Sequence, residues 1–176
     1  ATAQLLQQRQ EWIQKEETRL AVVLANDAIT DFRNTYGRYP CPASLTATHN
    51  GPDSALYGIE SDTGTTKCAD TSVVEFTGID AAAGYAVVRG IGAGNPRIRI
   101  GTLPFKNLNL EERQAYDGYG NRINYAVTEA LAVAPTFDAT AGGITVLNDQ
   151  NASIIQPPDS AHFIIISTGE NGAGGF

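Results

Sequence analysis

Tyr36-Gly37-Arg38-Tyr39-Pro40-Cys41-Pro42-Ala43 is the stretch on which the reading of the fold turns. Upstream of it, residues 3–36 hold no Gly or Pro and are dominated by Gln, Glu, Arg, Leu and Ala, which predicts one long helix. Gly37 suits a helix C-terminus, and Pro40 and Pro42 forbid continuation. Ile13, Leu20, Leu24, Ile29, Phe32 and Tyr36 recur at helical spacing, so we expect them to form the stripe that packs on a sheet. The first half differs, because residues 1–19 offer only Leu5, Leu6, Trp12 and Ile13 among many polar groups. A helix that polar is expected to project from the body or to pack against something outside the chain.

Downstream the pattern changes to short apolar runs between turns. Residues 37–72 read as a long irregular loop, with turns at Asn50-Gly51-Pro52-Asp53 and Asp62-Thr63-Gly64. Strands are expected over residues 73–76, 84–89, 97–101, 122–127, 143–147 and 161–167. Ile123, Tyr125 and Val127 alternate with polar or small neighbours, whereas the unbroken Phe163-Ile164-Ile165-Ile166 run predicts a fully buried central strand. Residues 109–116 read as a short helix capped by Asn109, with Glu111 and Glu112 in its first turn. Asn148-Asp149-Gln150-Asn151 reads as a hairpin-like turn. One helix followed by antiparallel strands is an α+β fold: a single domain over 1–176, divided into helix (1–36), loop (37–72) and sheet region (73–176).

The composition sets outer bounds. The chain has 176 residues, is 42% hydrophobic and contains 18 Gly and 8 Pro, as a turn-rich globular domain would. It has no run of about 18 apolar residues that could cross a bilayer. It holds no Met, so no initiator residue is visible and the chain is expected to be processed or trimmed. The formal charge of -7 argues against a broad nucleic-acid surface. That charge is unevenly placed: net 0 over 1–40, -5 over 41–88, +3 over 89–122 and -5 over 123–176. Alternating sign permits complementary patches and head-to-tail self-association. Cys41 and Cys68 lie 27 positions apart in Pro-, Gly- and Thr-rich surroundings, which suggests a disulfide stapling the loop. Closing it would stabilise the fold by roughly 3.5 kcal/mol. Two free buried thiols, or a two-cysteine metal site, are the alternatives.

Four segments in combination resemble the type IV pilin and type II secretion pseudopilin family. They are Asp31-Phe32-Arg33-Asn34-Thr35 running into the stretch quoted above, Gly101-Thr102-Leu103-Pro104-Phe105, Tyr116-Asp117-Gly118-Tyr119-Gly120-Asn121-Arg122-Ile123-Asn124-Tyr125, and Ile165-Ile166-Ser167-Thr168-Gly169-Glu170-Asn171-Gly172. The likeness covers roughly residues 19–176. It implies a helix packed across an antiparallel sheet, with the helix start as an apolar membrane segment that becomes a filament core. Here the chain departs from the family, since neither the processing site nor that apolar stretch is present; a soluble piece cut within the helix is the expectation. The resemblance further implies filament assembly with other pilins or pseudopilins, inner-membrane anchoring before assembly, and a place in the periplasm or at the cell surface. Leu5, Leu6, Trp12, Ile13 and Leu20 would then be the assembly residues. The alternative function is a minor pilin or secreted module that binds DNA or a host glycan.

Chemistry has few footholds. Asp117 and Asn121 in Asp117-Gly118-Tyr119-Gly120-Asn121, and Asp149 beside Asn148 and Asn151, offer oxygen ligands for Ca²⁺, which some members of the resembled family carry. Purely structural turns are the competing and stronger reading of both. Gly90-Ile91-Gly92-Ala93-Gly94 lacks the following helix that a phosphate loop needs. His49 and His162 are the only histidines, and no Gly-x-Ser-x-Gly elbow is present, so the reading is not an enzyme. Arg89, Arg97, Arg99, Lys106, Arg113 and Arg122 form the basic block, as ligand or subunit contacts, with Phe105, Tyr116 and Tyr119 interleaved.

Overall fold

The uninterrupted run of helix formers makes a single α-helix, α1 (Thr2–Tyr36), of 35 residues. In the computed structural model, which describes residues 2–61, 84, 86–90, 94–133 and 140–172, α1 is about 52 Å long. It ends as expected. Gly37 takes a left-handed φ of 69°, and its N–H donates to Arg33 O at 2.8 Å. That closes the last turn with a conformation that costs glycine nothing.

Among the described residues four strands follow: β1 (Ala86–Arg89), β2 (Arg97–Thr102), β3 (Asn124–Thr128) and β4 (Phe163–Ile166). They form one antiparallel sheet in the order β1-β2-β3-β4. The register places Ala86 opposite Ile100, Gly101 opposite Tyr125, and Tyr125 opposite Ile165. A long N-terminal helix with a four-stranded antiparallel sheet is an α+β architecture. Ala25, Ile29 and Phe32 of α1 share the core with Leu103, Tyr125 and Val127, and Phe163 and Ile165 pack against it.

The Pro-Cys-Pro junction ties helix to sheet. Tyr39 N–H donates to Leu131 O (3.0 Å), and Tyr125 Oη donates to Pro40 O (3.1 Å). Ala43 bridges both Glu60 and Thr102. At Gly101, opposite this crossing, a Cβ would collide with Ala43 O, so only glycine lets the two backbones meet. Beneath lies a buried ion pair. Arg38 Nη1 and Nη2 reach the two Glu60 carboxylate oxygens at 2.8 and 3.2 Å, and Cys41 N–H donates to Glu60 Oε1 at 2.6 Å.

Several elements differ from the sequence expectation. The Phe163-Ile164-Ile165-Ile166 run is β4, at the edge of the sheet among the described residues and half-buried throughout. Phe163 and Ile165 pack on the core, and an apolar run alone does not say on which side a strand is paired. Asn109 caps nothing: it sits at φ 55°, outside a 3-10 turn at Glu112–Ala115. Glu111 takes the cap position instead, where its extended backbone lets its N–H donate to Gln114 Oε1 at 2.8 Å. Residues 143–147 give isolated bridges, Ile144 to Ala161 and Leu147 to Ser153, not a strand. A short helix, α2 (Glu129–Val133), has no counterpart in the sequence reading. The turn at Asn148-Asp149-Gln150-Asn151 does form, with Asn148 Oδ1 accepting from Gln150 N–H and Ala152 N–H. The expected strand at 73–76, the turn at 62–64, residues 91–93 of the glycine run and Cys68 lie outside the described residues.

Candidate assembly surface

The packing face of α1 is not the stripe of large residues. Ala21, Ala25, Ile29 and Phe32, at spacings of four, four and three, are the buried ones. Two alanines let the helix lie close, and the larger side chains at Leu20 and Leu24 are turned outward, 47% and 41% exposed. Ile13 and Tyr36 are likewise exposed. The expected stripe is therefore corrected: it shares only Ile29 and Phe32 with the buried face. Large-residue counting misses it because a close helix–sheet contact favours a missing side chain over a big one.

The rest of the apolar content of α1 points away from the body. Leu5, Leu6 and Trp12 are 65%, 67% and 66% exposed, and Ile13, Val23 and Leu24 join them. At 100° per residue, Leu6, Ile13, Leu20 and Leu24 fall on one line, with Leu5, Trp12 and Val23 beside it. That line lies about 115° around the helix from the Ala21–Ala25–Ile29 face, and Leu5, Trp12 and Val23 lie farther round, near the opposite side. A helix with apolar residues beyond the side already packed has a second side left for another partner.

The junction between the projecting and the packed parts of α1 is made by Asp117-Gly118-Tyr119-Gly120-Asn121. Gly118 N–H donates to Thr18 Oγ1 (3.0 Å), whose hydroxyl donates to Gln14 O (2.8 Å). A Cβ at Gly118 would collide with Gln14 O, so this glycine is required by the approach of the helix backbone. Residues 2–13, before this contact, are all exposed.

The same turn accounts for the Ca²⁺ candidates. Asp117 Oδ1 accepts from Tyr119 N–H (3.0 Å) and Asn121 N–H (2.8 Å), and Oδ2 accepts from Ser167 Oγ (2.7 Å). Asn121 Nδ2 donates to Gly169 O at 2.7 Å. The carboxylate thus closes its own turn and ties it to the segment after β4. Asp149 lies in the exposed hairpin turn. Among the described residues no three His, Cys, Asp or Glu side chains converge to hold a metal ion.

The basic block is divided. Arg97 and Arg99 converge on the Glu129 carboxylate, at 3.1 and 2.8 Å, and Arg99 is only 1% exposed. Arg122 donates to Ala47 O at 2.8 Å and to Leu45 O, holding the loop. Arg89 is exposed and donates to Asn95 O at 3.0 Å. Lys106 and Arg113 face outward, Lys106 over the Tyr57 ring and Arg113 beside Glu111. Arg99 and Arg122 thus serve the interior. Sequence reasoning missed their neighbour Glu129, and it also missed Glu60, since nothing in the local pattern marks an acidic residue for burial. The histidines are placed apart. His49 Nδ1 is 3.6 Å from Glu112 Oε2, and His162 Nδ1 is 3.2 Å from Tyr39 Oη. No helix among the described residues is long and apolar enough to cross a membrane. Compared with known proteins, the chain matches no family model, no curated protein and no solved structure.

Proposed function

We propose that this chain is a structural subunit of a bacterial filament, a type IV pilus or the pseudopilus of a type II secretion system, that acts by assembly at the cell surface or in the periplasm. The observation carrying the reading is the two-sided helix. α1 packs on its own body through Ala21, Ala25, Ile29 and Phe32 and presents Leu5, Leu6, Trp12, Ile13 and Leu20 outward. Exposed large apolar side chains gathered on one face mark an interaction surface, and residues 2–13 of that surface project beyond the Gly118 contact. The resemblance of the Gly37–Ala43 and 116–125 segments adds the family. A disulfide between Cys41 and Cys68 belongs to the same reading. Its support is that Cys41 is fully buried and that no cysteine among the described residues is free. Alkylation without reductant should leave both cysteines unmodified.

Trp12, the only tryptophan, sits on the proposed surface and reports on it directly. Its emission should shift to the blue as protein concentration rises, in step with the mass seen by sedimentation. Replacing Leu6, Trp12 and Ile13 together by Gln should leave the monomer folded and weaken self-association at least about tenfold, read by sedimentation. A wild-type chain that stays monomeric at every attainable concentration would refute the assembly reading.

A further inference from the structure

Between the packed and the outward faces of α1 lies a second feature, a groove of about 440 Å³ bounded by the C-terminal half of the helix and residues 107–110. Leu24, Phe32, Leu108 and Leu110 give it an apolar floor, and Asp27 and Asp31 stand on its rim. These two carboxylates are four residues apart on one helix face, an arrangement that repels itself. Among the described residues, no cation forms a salt bridge with either of them. Toward the other end of α1, Arg9 and Lys15 are exposed, and no described anion pairs with them.

We infer that the groove receives the projecting N-terminal part of α1 from a second copy of this chain, with Arg9 set between Asp27 and Asp31. This rests on the assembly reading and specifies its partner surfaces. Three observations fit together. Residues 2–13 span about 18 Å, and the groove side of α1, residues 24–36, is of about the same length. Arg9 is three residues from Leu6 and four from Ile13, so its charge is flanked by apolar side chains on one face, as the floor and rim of the groove require. A planar guanidinium can bond two carboxylates at once, which relieves the repulsion between Asp27 and Asp31. With the helices parallel, the neighbour is displaced by about 30 Å along the axis. The contact joins unlike ends, so it propagates from copy to copy.

Charge exchange tests this. Asp27→Lys/Asp31→Lys and Arg9→Glu/Lys15→Glu alter only exposed positions, and circular dichroism should show both variants folded. At low salt each variant alone should self-associate about tenfold more weakly than wild type. Mixed together, they should recover association with each other to near the wild-type level. If the charge variants associate like wild type, the groove belongs to a different partner and the inference is overturned, while the Leu6/Trp12/Ile13 result still decides assembly. Loss in each variant without recovery on mixing overturns it as well. Wild-type protein that does not associate overturns both.

Discussion

Replacing Gly118 with alanine would drive a methyl group into the backbone of α1 at Gln14. Overpacking of this kind should cost about 1–3 kcal/mol in denaturant unfolding. Gly120, two positions on, has a φ of 82° but open space around it, so Gly120→Ala should cost about 1–2 kcal/mol through backbone strain alone. The two variants separate by hydrogen exchange. Gly118→Ala should speed exchange of the amides near Gln14 and Thr18, and Gly120→Ala should not. Glu60 is a different kind of position. Its buried carboxylate takes both Arg38 and the Cys41 N–H, so Glu60→Ala strands a guanidinium and a backbone donor together. A loss of about 3–5 kcal/mol is expected; a loss under about 1 kcal/mol would show that the pair is replaceable. Neither Glu60 nor Glu129 is legible in the sequence, because a buried acid is identified by a partner 22 or 30 positions away and not by its neighbours. Gly37 is legible, because a glycine that ends a helix is a local requirement.

At the scale of elements, α1, β2 and β3 follow from pattern, since sustained periodicity leaves little else for the chain to form. What the pattern does not supply is orientation. Ile13, Leu20 and Leu24 read as inward and lie outward, and the Phe163–Ile166 run reads as central and lies at the edge of the sheet among the described residues. Both errors have one cause: hydrophobicity states that a side chain wants cover and is silent on whether its own chain provides it. For α1 this has a kinetic consequence. Residues 2–13 are exposed throughout, and about 12 residues of unsupported helix are marginal in water. In the monomer their amides should exchange much faster than those of residues 21–32. Self-association should slow them selectively, and equal protection of both halves in the dilute monomer would contradict the projecting helix.

At the scale of the molecule, the core depends on neutral tyrosines. Burial pushes the Tyr57 hydroxyl above its ordinary range, with further help from its bonds to Glu112 and Tyr116. Burial also raises Tyr125, reinforced by Tyr39 and Glu60, and burial raises Tyr39. A phenol whose folded pKa lies above its unfolded value of about 10 stabilises the fold fully below that pH. The contribution is lost as pH climbs from there toward the folded value. Stability should therefore fall above about pH 10, and these three of the seven tyrosines should ionise later than exposed ones. Phenolate absorbance followed alongside circular dichroism checks this; three early, independent ionisations would contradict the burial described.

The contact at Gly118 also has a mechanical meaning. A pull applied at the Thr2 end acts on a lever whose arm is the projecting part of α1 and whose fulcrum is the Thr18–Gly118 hydrogen bond. Behind the fulcrum, Asp117 grips Ser167 and Asn121 grips Gly169, so the load passes from one small turn into the ends of β3 and β4. Those two strands are antiparallel neighbours with Asn124 opposite Ile166, so the start of β3 and the end of β4 lie side by side and a load arriving there is shared by both strands. A pull on the projecting helix is thereby delivered to two strands at once, through a single five-residue turn.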